Sequence, residues 1–216
     1  MTILEKIEAH KQAILSNKMP EDLTSCPHCN QSPPAFKPHD VRPRLLYVIL
    51  DSVISHVRIL IERFKCTLCK QTFSYYPVFV LPYKRYTKDT ILQLSRRYVE
   101  DDTMTYQKAV QEDGASIAHE STDEATERYL SGSTVHRWLS WIGSLKGAFR
   151  NALSLIKERS PSSHIFRKIR PIAPKKCRSE KRQKLLDRCI RLFNAEDEYT
   201  ALFSRTIFPR FAIKIT

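Results

Sequence analysis

The motifs Cys26-Pro-His-Cys29 and Cys66-Thr-Leu-Cys69 are the strongest structural signature in this chain of 216 residues. Two residues between paired cysteines let one tight turn direct both sulfur atoms at the same ion, and a structural zinc takes four such ligands in a tetrahedron. The 36 residues between the motifs fit a β-hairpin of two long strands. The spacing therefore predicts a zinc ribbon with one structural Zn²⁺ bound by Cys26, Cys29, Cys66 and Cys69.

Other roles for the cysteines fit less well. A thioredoxin-like redox site needs one C-x-x-C at a helix start, and a catalytic zinc keeps an open position that four cysteines do not leave. His28 lies inside the first motif, and its imidazole could bind zinc in place of a cysteine. We expect it to point outward instead. Cys177 and Cys189 are interpreted as unpaired or buried thiols, with a second metal site as the alternative.

The hydrophobic pattern around the motifs predicts an α+β protein. Runs rich in Val, Ile, Tyr and Phe at 45–50 and 56–64 predict the hairpin. A third strand is expected at about 72–80, with Phe73 beneath the metal. Helical spacing predicts helices at 3–15, from Thr87 through Val99, at about 104–111, from Ser133 to about residue 158, and at about 179–194. Residues 112–127 are predicted to be an acidic outer loop or weak helix.

These elements divide the chain into four predicted segments. A small β-rich zinc ribbon is followed by a mostly α-helical helix-turn-helix region and a basic helical C-terminal segment. The predicted borders are 1–20 for the N-terminal helix, 21–86 for the ribbon, 87–159 for the helix-turn-helix-like domain and 160–216 for the basic segment.

The charge distribution favours a polyanionic partner. The formal net charge is +13, with +6 over residues 26–87, −4 over 88–145 and +12 over 146–216. Basic surface of this kind is typical of nucleic-acid binding. We expect double-stranded DNA, while RNA stays open because nothing in the sequence distinguishes the 2′-hydroxyl.

The helix from Ser133 is the candidate recognition helix. Ser131 or Ser133 supplies its N-cap, and Val135, Trp138 and Leu139 would face the core, with a plain packing helix as the alternative. The ribbon is expected to serve as scaffold and phosphate-contacting surface, and residues 164–184 to clamp the DNA backbone. The predicted DNA contacts are Lys84, Arg85, Ser133, Thr134, His136, Arg137, Ser140, Arg167, Lys168, Arg170, Lys175, Lys176, Arg178, Lys181 and Arg182.

The stretch from Cys26 through Thr87, together with Ser133-Thr-Val-His-Arg-Trp138, resembles bacterial transposase-associated proteins that join a zinc ribbon to a helix-turn-helix. The Phe79-Val-Leu-Pro-Tyr-Lys-Arg-Tyr86 run that follows the second motif contributes to this resemblance. It implies binding to mobile-element DNA at terminal repeats, and a transposase or recombinase as partner. A homodimer stays open.

No enzyme activity is expected. A catalytic Asp-Asp-Glu transposase core needs three separated carboxylates on a ribonuclease-H-like sheet, and the six acidic residues after 145 lie in basic helical sequence. The chain is thus expected to be a DNA-binding accessory protein, with a protein–protein adaptor or a non-catalytic transposase remnant as alternatives. The N-terminus does not resemble a signal peptide and no apolar run approaches about 20 residues, so we expect a cytoplasmic, nucleoid-associated bacterial protein without a membrane segment.

Overall fold

The structure is a computed structural model that describes residues 1–17, 19–120, 128–166 and 172–213. The helices in these residues are α1 (Ile3–Leu15), α2 (Lys88–Glu100), α3 (Gly132–Ile142), α4 (Lys146–Arg159) and α5 (Glu180–Phe203), with 3-10 turns at Lys108–Val110 and His164–Phe166. The strands are β1 (Phe36–Leu50), β2 (Val53–Cys66), β3 (Thr72–Tyr75), β4 (Gln111–Glu112), β5 (Ala115–Ser116), β6 (Ala118–His119) and β7 (Phe211–Ile213). The α+β class is confirmed. None of the helices in the described part of the chain combines the length and the apolar character that a membrane crossing requires.

The chain divides into two compact units. The first comprises Met1–Val48, Ser55–Lys88 and Pro209–Thr216, and the second comprises Ile49–Ile54 and Asp89–Phe208. The first unit therefore combines the N-terminal helix with both cysteine motifs. The second contains the other helices.

The predicted hairpin is β1 followed by β2. Its two connecting residues, Asp51 and Ser52, have φ values of 47° and 63°, and two left-handed residues suit the tight turns that join antiparallel strands. β3 pairs antiparallel with β2 and β7 with β3, giving the strand order β1-β2-β3-β7. The third strand is shorter than predicted and ends at Tyr75. We attribute this to Pro77, which has no N–H to continue the ladder.

Aromatic side chains form the core of the first unit. Phe64 and Phe73 lie opposite each other on β2 and β3 with ring centroids 5.6 Å apart, and Phe36 meets both rings edge-on at 6.1 and 5.6 Å. Cys26 and Cys66 are buried in the same cluster. The predicted position of Phe73 next to the cysteines is thus confirmed.

An apolar cavity of about 410 Å³ lies between α1 and the strands of the first unit, and Glu62 lines it. The Glu62 side chain is buried, with 5% of the residue exposed, and has no hydrogen bond or ion pair within the described residues. Burial raises the pKa of its carboxyl group. The folded protein therefore binds this proton more tightly than the unfolded chain, and ionisation of Glu62 destabilises the fold as pH rises.

Glu62→Gln is expected to stabilise the protein at neutral pH by about 1 kcal/mol, because it removes a carboxylate whose ionised form is partly desolvated and has no ion pair among the described residues. The advantage should shrink as pH falls toward the pKa of an unfolded glutamate, about 4.3, where both folded and unfolded parents are protonated. Urea unfolding at pH values from about 8 down to 4 measures it, with the exposed Glu8→Gln as control. A stability difference that does not change with pH contradicts this account.

The prediction of a helix at about 104–111 is wrong. The structure has a single 3-10 turn, Lys108–Val110, and then a small hairpin in which β4 pairs with β5. The hairpin turns at Asp113-Gly114, whose φ values are 48° and 81°. Asp-Gly is a favoured two-residue hairpin turn, and this local preference competes with helix formation. The compact helix-turn-helix that required this helix is therefore not formed.

The acidic stretch 112–127 is not wholly an outer loop. Ile117 is fully buried, and β6 pairs in parallel with Val53 and Ile54 at the start of β2. The remainder of this prediction, residues 121–127, lies outside the described residues.

The long helix predicted from Ser133 to about residue 158 is two helices, α3 and α4, separated by residues 143–145. Gly143 ends α3, and Leu185 of α5 lies so near that a Cβ at position 143 would come within 2.9 Å of its Cγ. The last helix is longer than predicted because α5 continues to Phe203, with Ser204 as a left-handed cap.

Gly132→Ala is expected to destabilise the second unit by about 1–3 kcal/mol. A Cβ at position 132 would lie 2.8 Å from the backbone carbon and oxygen of Tyr106, so the segment that holds Tyr106 must shift. Gly147→Ala is the control, because its Cβ would meet nothing within 4 Å and alanine favours a helix by up to about 1 kcal/mol. Thermal unfolding followed by circular dichroism should separate the two variants, and equal melting temperatures would show that α3 does not pack this closely.

Candidate metal centre and nucleic-acid interface

The four predicted cysteine ligands lie together in the first unit. Their Sγ atoms are all within 4.8 Å of one another, with Cys26 to Cys69 at 3.8 Å and Cys29 to Cys66 at 3.7 Å. Zn–S bonds of about 2.3 Å in a tetrahedron place sulfur atoms about 3.8 Å apart. The arrangement can therefore hold a metal ion such as zinc.

The two cysteine motifs adopt matching backbone conformations. The N–H of Cys26 donates to the carbonyl of Gln31 at 2.8 Å, and the N–H of Cys66 donates to that of Gln71 at 2.9 Å. The residue after each second cysteine, Asn30 or Lys70, is left-handed, with φ of 57° and 60°. Each motif thus closes as the same tight turn, which directs its two sulfur atoms to one point.

The pKa values of the cysteine thiols shift in different directions, even within the second motif, where that of Cys69 is raised to about 12. The backbone N–H of Cys69 lowers the pKa of the Cys66 thiol to about 7, whereas burial raises the pKa of Cys26. His28 is not part of the sulfur cluster, but its Nε2 is buried without a hydrogen-bond partner among the described residues, so the expectation that it points outward is wrong. Cys189 is a buried thiol that donates to the carbonyl of Leu139, and burial raises its pKa to about 12.

In α3, the candidate recognition helix, the residues predicted to face the core are buried. Ser131 is its N-cap and accepts from the N–H of Ser133 at 3.3 Å. Its buried side consists of Val135, Trp138, Leu139 and Ile142. Of the predicted DNA contacts on this helix, Ser133, His136 and Arg137 are exposed, and Thr134 and Ser140 are half-buried.

The start of α5 contacts this same polar side of α3 within the second unit. Arg182 donates to Ser140 Oγ at 3.2 Å and to the hydroxyl of Tyr106. The Tyr106 ring lies 5.5 Å from the ring of His136. Partial burial, followed by the charge of Arg182, lowers the pKa of His136, which favours its neutral form. The basic C-terminal residues and the candidate recognition helix are therefore adjacent.

The other predicted basic contacts are placed as follows. Lys175 donates to the carbonyl oxygens of Asp102 and Met104, and its ammonium lies 5.4 Å from the centre of the Tyr98 ring. Lys176, Arg178 and Lys181 are exposed. In the first unit, Arg85 is exposed and donates to the hydroxyl of Tyr47, and Lys84 is half-buried. Arg167, Lys168 and Arg170 lie outside the described residues.

Tyr106 is the residue of this surface that the sequence interpretation missed. It stacks on Tyr98 with ring centroids 4.0 Å apart and an interplanar angle of 9°. Helical spacing at about 104–111 predicts a helix here, and only the Asp113-Gly114 turn signal downstream points to a non-helical segment. Tyr106 contacts His136 on α3 and Arg182 on α5, so its side chain connects the two helices.

The family model described as "Domain of unknown function (DUF6431)" matches residues 26–138, which is more than half of the chain. The match begins at the first cysteine of the four-cysteine cluster and ends within α3. No curated protein and no solved structure matches the chain.

Proposed function

The chain belongs to the family described as Domain of unknown function (DUF6431), whose name assigns no activity, and from its own residues we propose that it binds double-stranded DNA with one structural zinc ion. The zinc would organise the first unit. The surface formed by α3 and the start of α5 would contact the nucleic acid.

Zinc is the ion that the donor set favours. Four thiolates in a tetrahedral arrangement suit zinc or iron, and zinc binds such sites more tightly than ferrous iron does. Four protein ligands leave no position for substrate, so we propose a structural ion rather than a catalytic one.

The observation that carries the DNA proposal is the contact of Arg182 with α3. It brings the basic residues that begin α5 to the helix whose exposed side bears Ser133, His136 and Arg137. These three positions share one side because residues three and four apart are neighbours on a helix. Arginines can pair with phosphates or with guanine edges, and hydroxyl groups can bind phosphate oxygens.

The charges of this surface are available to a partner. No carboxylate among the described residues forms an ion pair with Arg137, Arg178, Lys181 or Arg182. A cation that is not paired within the protein can neutralise a phosphate and release its counterion, which is the main source of affinity for DNA.

The biological role that we propose is recognition of mobile-element DNA at its terminal repeats, in partnership with a transposase or recombinase. The resemblance of Cys26 through Thr87 and Ser133 through Trp138 to transposase-associated proteins supports this part. We propose binding without strand cleavage, and incubation of labelled terminal-repeat DNA with the protein and Mg²⁺ should leave the DNA intact.

Substitution of Arg137 and Lys181 tests the proposal. Both side chains are exposed, so Arg137→Ala/Lys181→Ala should preserve the fold while weakening binding of a labelled DNA duplex at least about tenfold. Arg159→Ala, an exposed arginine at the end of α4, is the control and should bind like the parent. Fluorescence anisotropy of the labelled duplex measures the DNA affinity of the parent, the double variant and the control. Unchanged affinity in the double variant contradicts this interface and favours an adaptor role, and stronger binding to duplex RNA contradicts the choice of DNA.

A further inference from the structure

A cleft of about 230 Å³ lies on the strands of the first unit, and three arginines, Arg42, Arg44 and Arg63, line it. Arg42 and Arg44 are two residues apart on β1, a spacing that places side chains on the same side of a strand. Arg63 on β2 pairs with Ser74 on β3, which also lines the cleft. Three neighbouring strands thus contribute to one basic surface.

Hydrogen bonds within the protein orient two of these guanidinium groups. Arg44 donates to the hydroxyl of Tyr76 at 2.9 Å and to the carbonyl of Lys84 at 2.8 Å. Arg63 donates to Thr72 Oγ1 at 3.0 Å. A guanidinium group has five N–H donors, so each arginine keeps further donors for a ligand. Because these side chains are already ordered, less conformational entropy is lost on binding.

The cleft has an excess of positive charge. The carboxylate next to the cleft is that of Asp40. Its Oδ2 lies 2.8 Å from Nε of Arg42 and 3.5 Å from Nη1 of Arg63. The hydrogen bond from Arg42 lowers the pKa of Asp40, so this carboxylate is ionised at neutral pH. Three cations against one anion leave a net charge of about +2 at the cleft. No other acidic side chain of the described residues forms an ion pair with these arginines.

We propose that this cleft binds a backbone phosphate of duplex DNA, so that the zinc-ribbon unit has a DNA-binding surface of its own. Planar guanidinium groups bind tetrahedral phosphate oxygens through paired N–H donors, and the Ser74 hydroxyl is a further donor. This inference rests on the proposed DNA binding.

The salt dependence of DNA binding tests the cleft separately. Each lost phosphate contact lowers the slope of log K against log salt by about one. Arg42→Gln/Arg44→Gln, which removes two of the three arginines around this one phosphate, should therefore lower the slope by about one. Arg44→Lys keeps the charge and should retain the slope of the parent. Arg58→Gln, an exposed arginine on β2 outside the cleft, is the matched control.

The outcomes distinguish this inference from the proposed function. If the parent binds duplex DNA and the cleft variants show the same slope of log K against log salt, the cleft does not bind a phosphate, while the proposed α3–α5 interface stands. If the parent does not bind duplex DNA, both are wrong. Inorganic phosphate and vesicles of anionic phospholipid serve as competitors. Displacement of the DNA by vesicles at a lower phosphate concentration than by inorganic phosphate would assign the cleft to a lipid surface and overturn the inference. Metal content and melting temperature equal to those of Arg58→Gln confirm that the variants fold.

Discussion

Cys66→Ser is expected to abolish stoichiometric metal binding and to unfold the first unit. Cys66 is buried, and its sulfur lies 3.7 Å from that of Cys29, so a serine at this position removes one of four ligands from the centre of the cluster. Structural zinc contributes about 10–16 kcal/mol of binding free energy in small zinc domains, which exceeds the usual stability of a domain of this size. Metal analysis and the near-ultraviolet circular dichroism of the aromatic cluster measure the two effects.

Cys177→Ser is the matched control for this variant. Cys177 is a half-buried cysteine outside the metal cluster, so its substitution should leave both metal content and aromatic signal unchanged. A chelator in excess should reproduce the Cys66→Ser result with the unaltered chain. Retention of the folded first unit without metal would mean that the aromatic core alone stabilises this fold.

Raising the salt concentration from 50 to 200 mM is expected to weaken duplex DNA binding by about 10³-fold. Six described cations surround the α3–α5 surface: Arg137, Lys175, Lys176, Arg178, Lys181 and Arg182. Six phosphate contacts give a slope of log K against log salt of about −5. Inclusion of the one phosphate in the cleft would change the slope to about −6 and raise the loss of affinity to about 10⁴-fold.

Anisotropy titrations at several salt concentrations measure this slope. The DNA duplex and the anion must be kept the same throughout. An affinity that hardly changes with salt would contradict phosphate neutralisation and remove the main support for DNA binding.

The cysteine cluster could be predicted from the sequence because its determinants are local. The spacing Cys26 to Cys29 and Cys66 to Cys69 specifies two tight turns, and each closes through a hydrogen bond between residues five apart. The hairpin between them follows from runs of β-branched and aromatic residues. Such short-range patterns keep their meaning in almost any tertiary context.

The second unit was predicted less well because competing local preferences are close in energy. Residues 104–111 have helical hydrophobic spacing, but the Asp113-Gly114 turn and the burial of Ile117 favour a small hairpin. The contact of Arg182 with Ser140 joins residues 42 positions apart, and no periodicity in the sequence encodes such a pair. The same holds for the basic cleft, whose arginines become neighbours only when three strands pair.

X-ray absorption at the zinc edge of the freshly purified, reduced protein tests the central claim most directly. The claim is that Cys26, Cys29, Cys66 and Cys69 together bind one zinc ion. The predicted result is one zinc per chain with four sulfur neighbours at about 2.3 Å. A spectrum with nitrogen or oxygen neighbours in place of sulfur, or a protein without stoichiometric zinc, would contradict it.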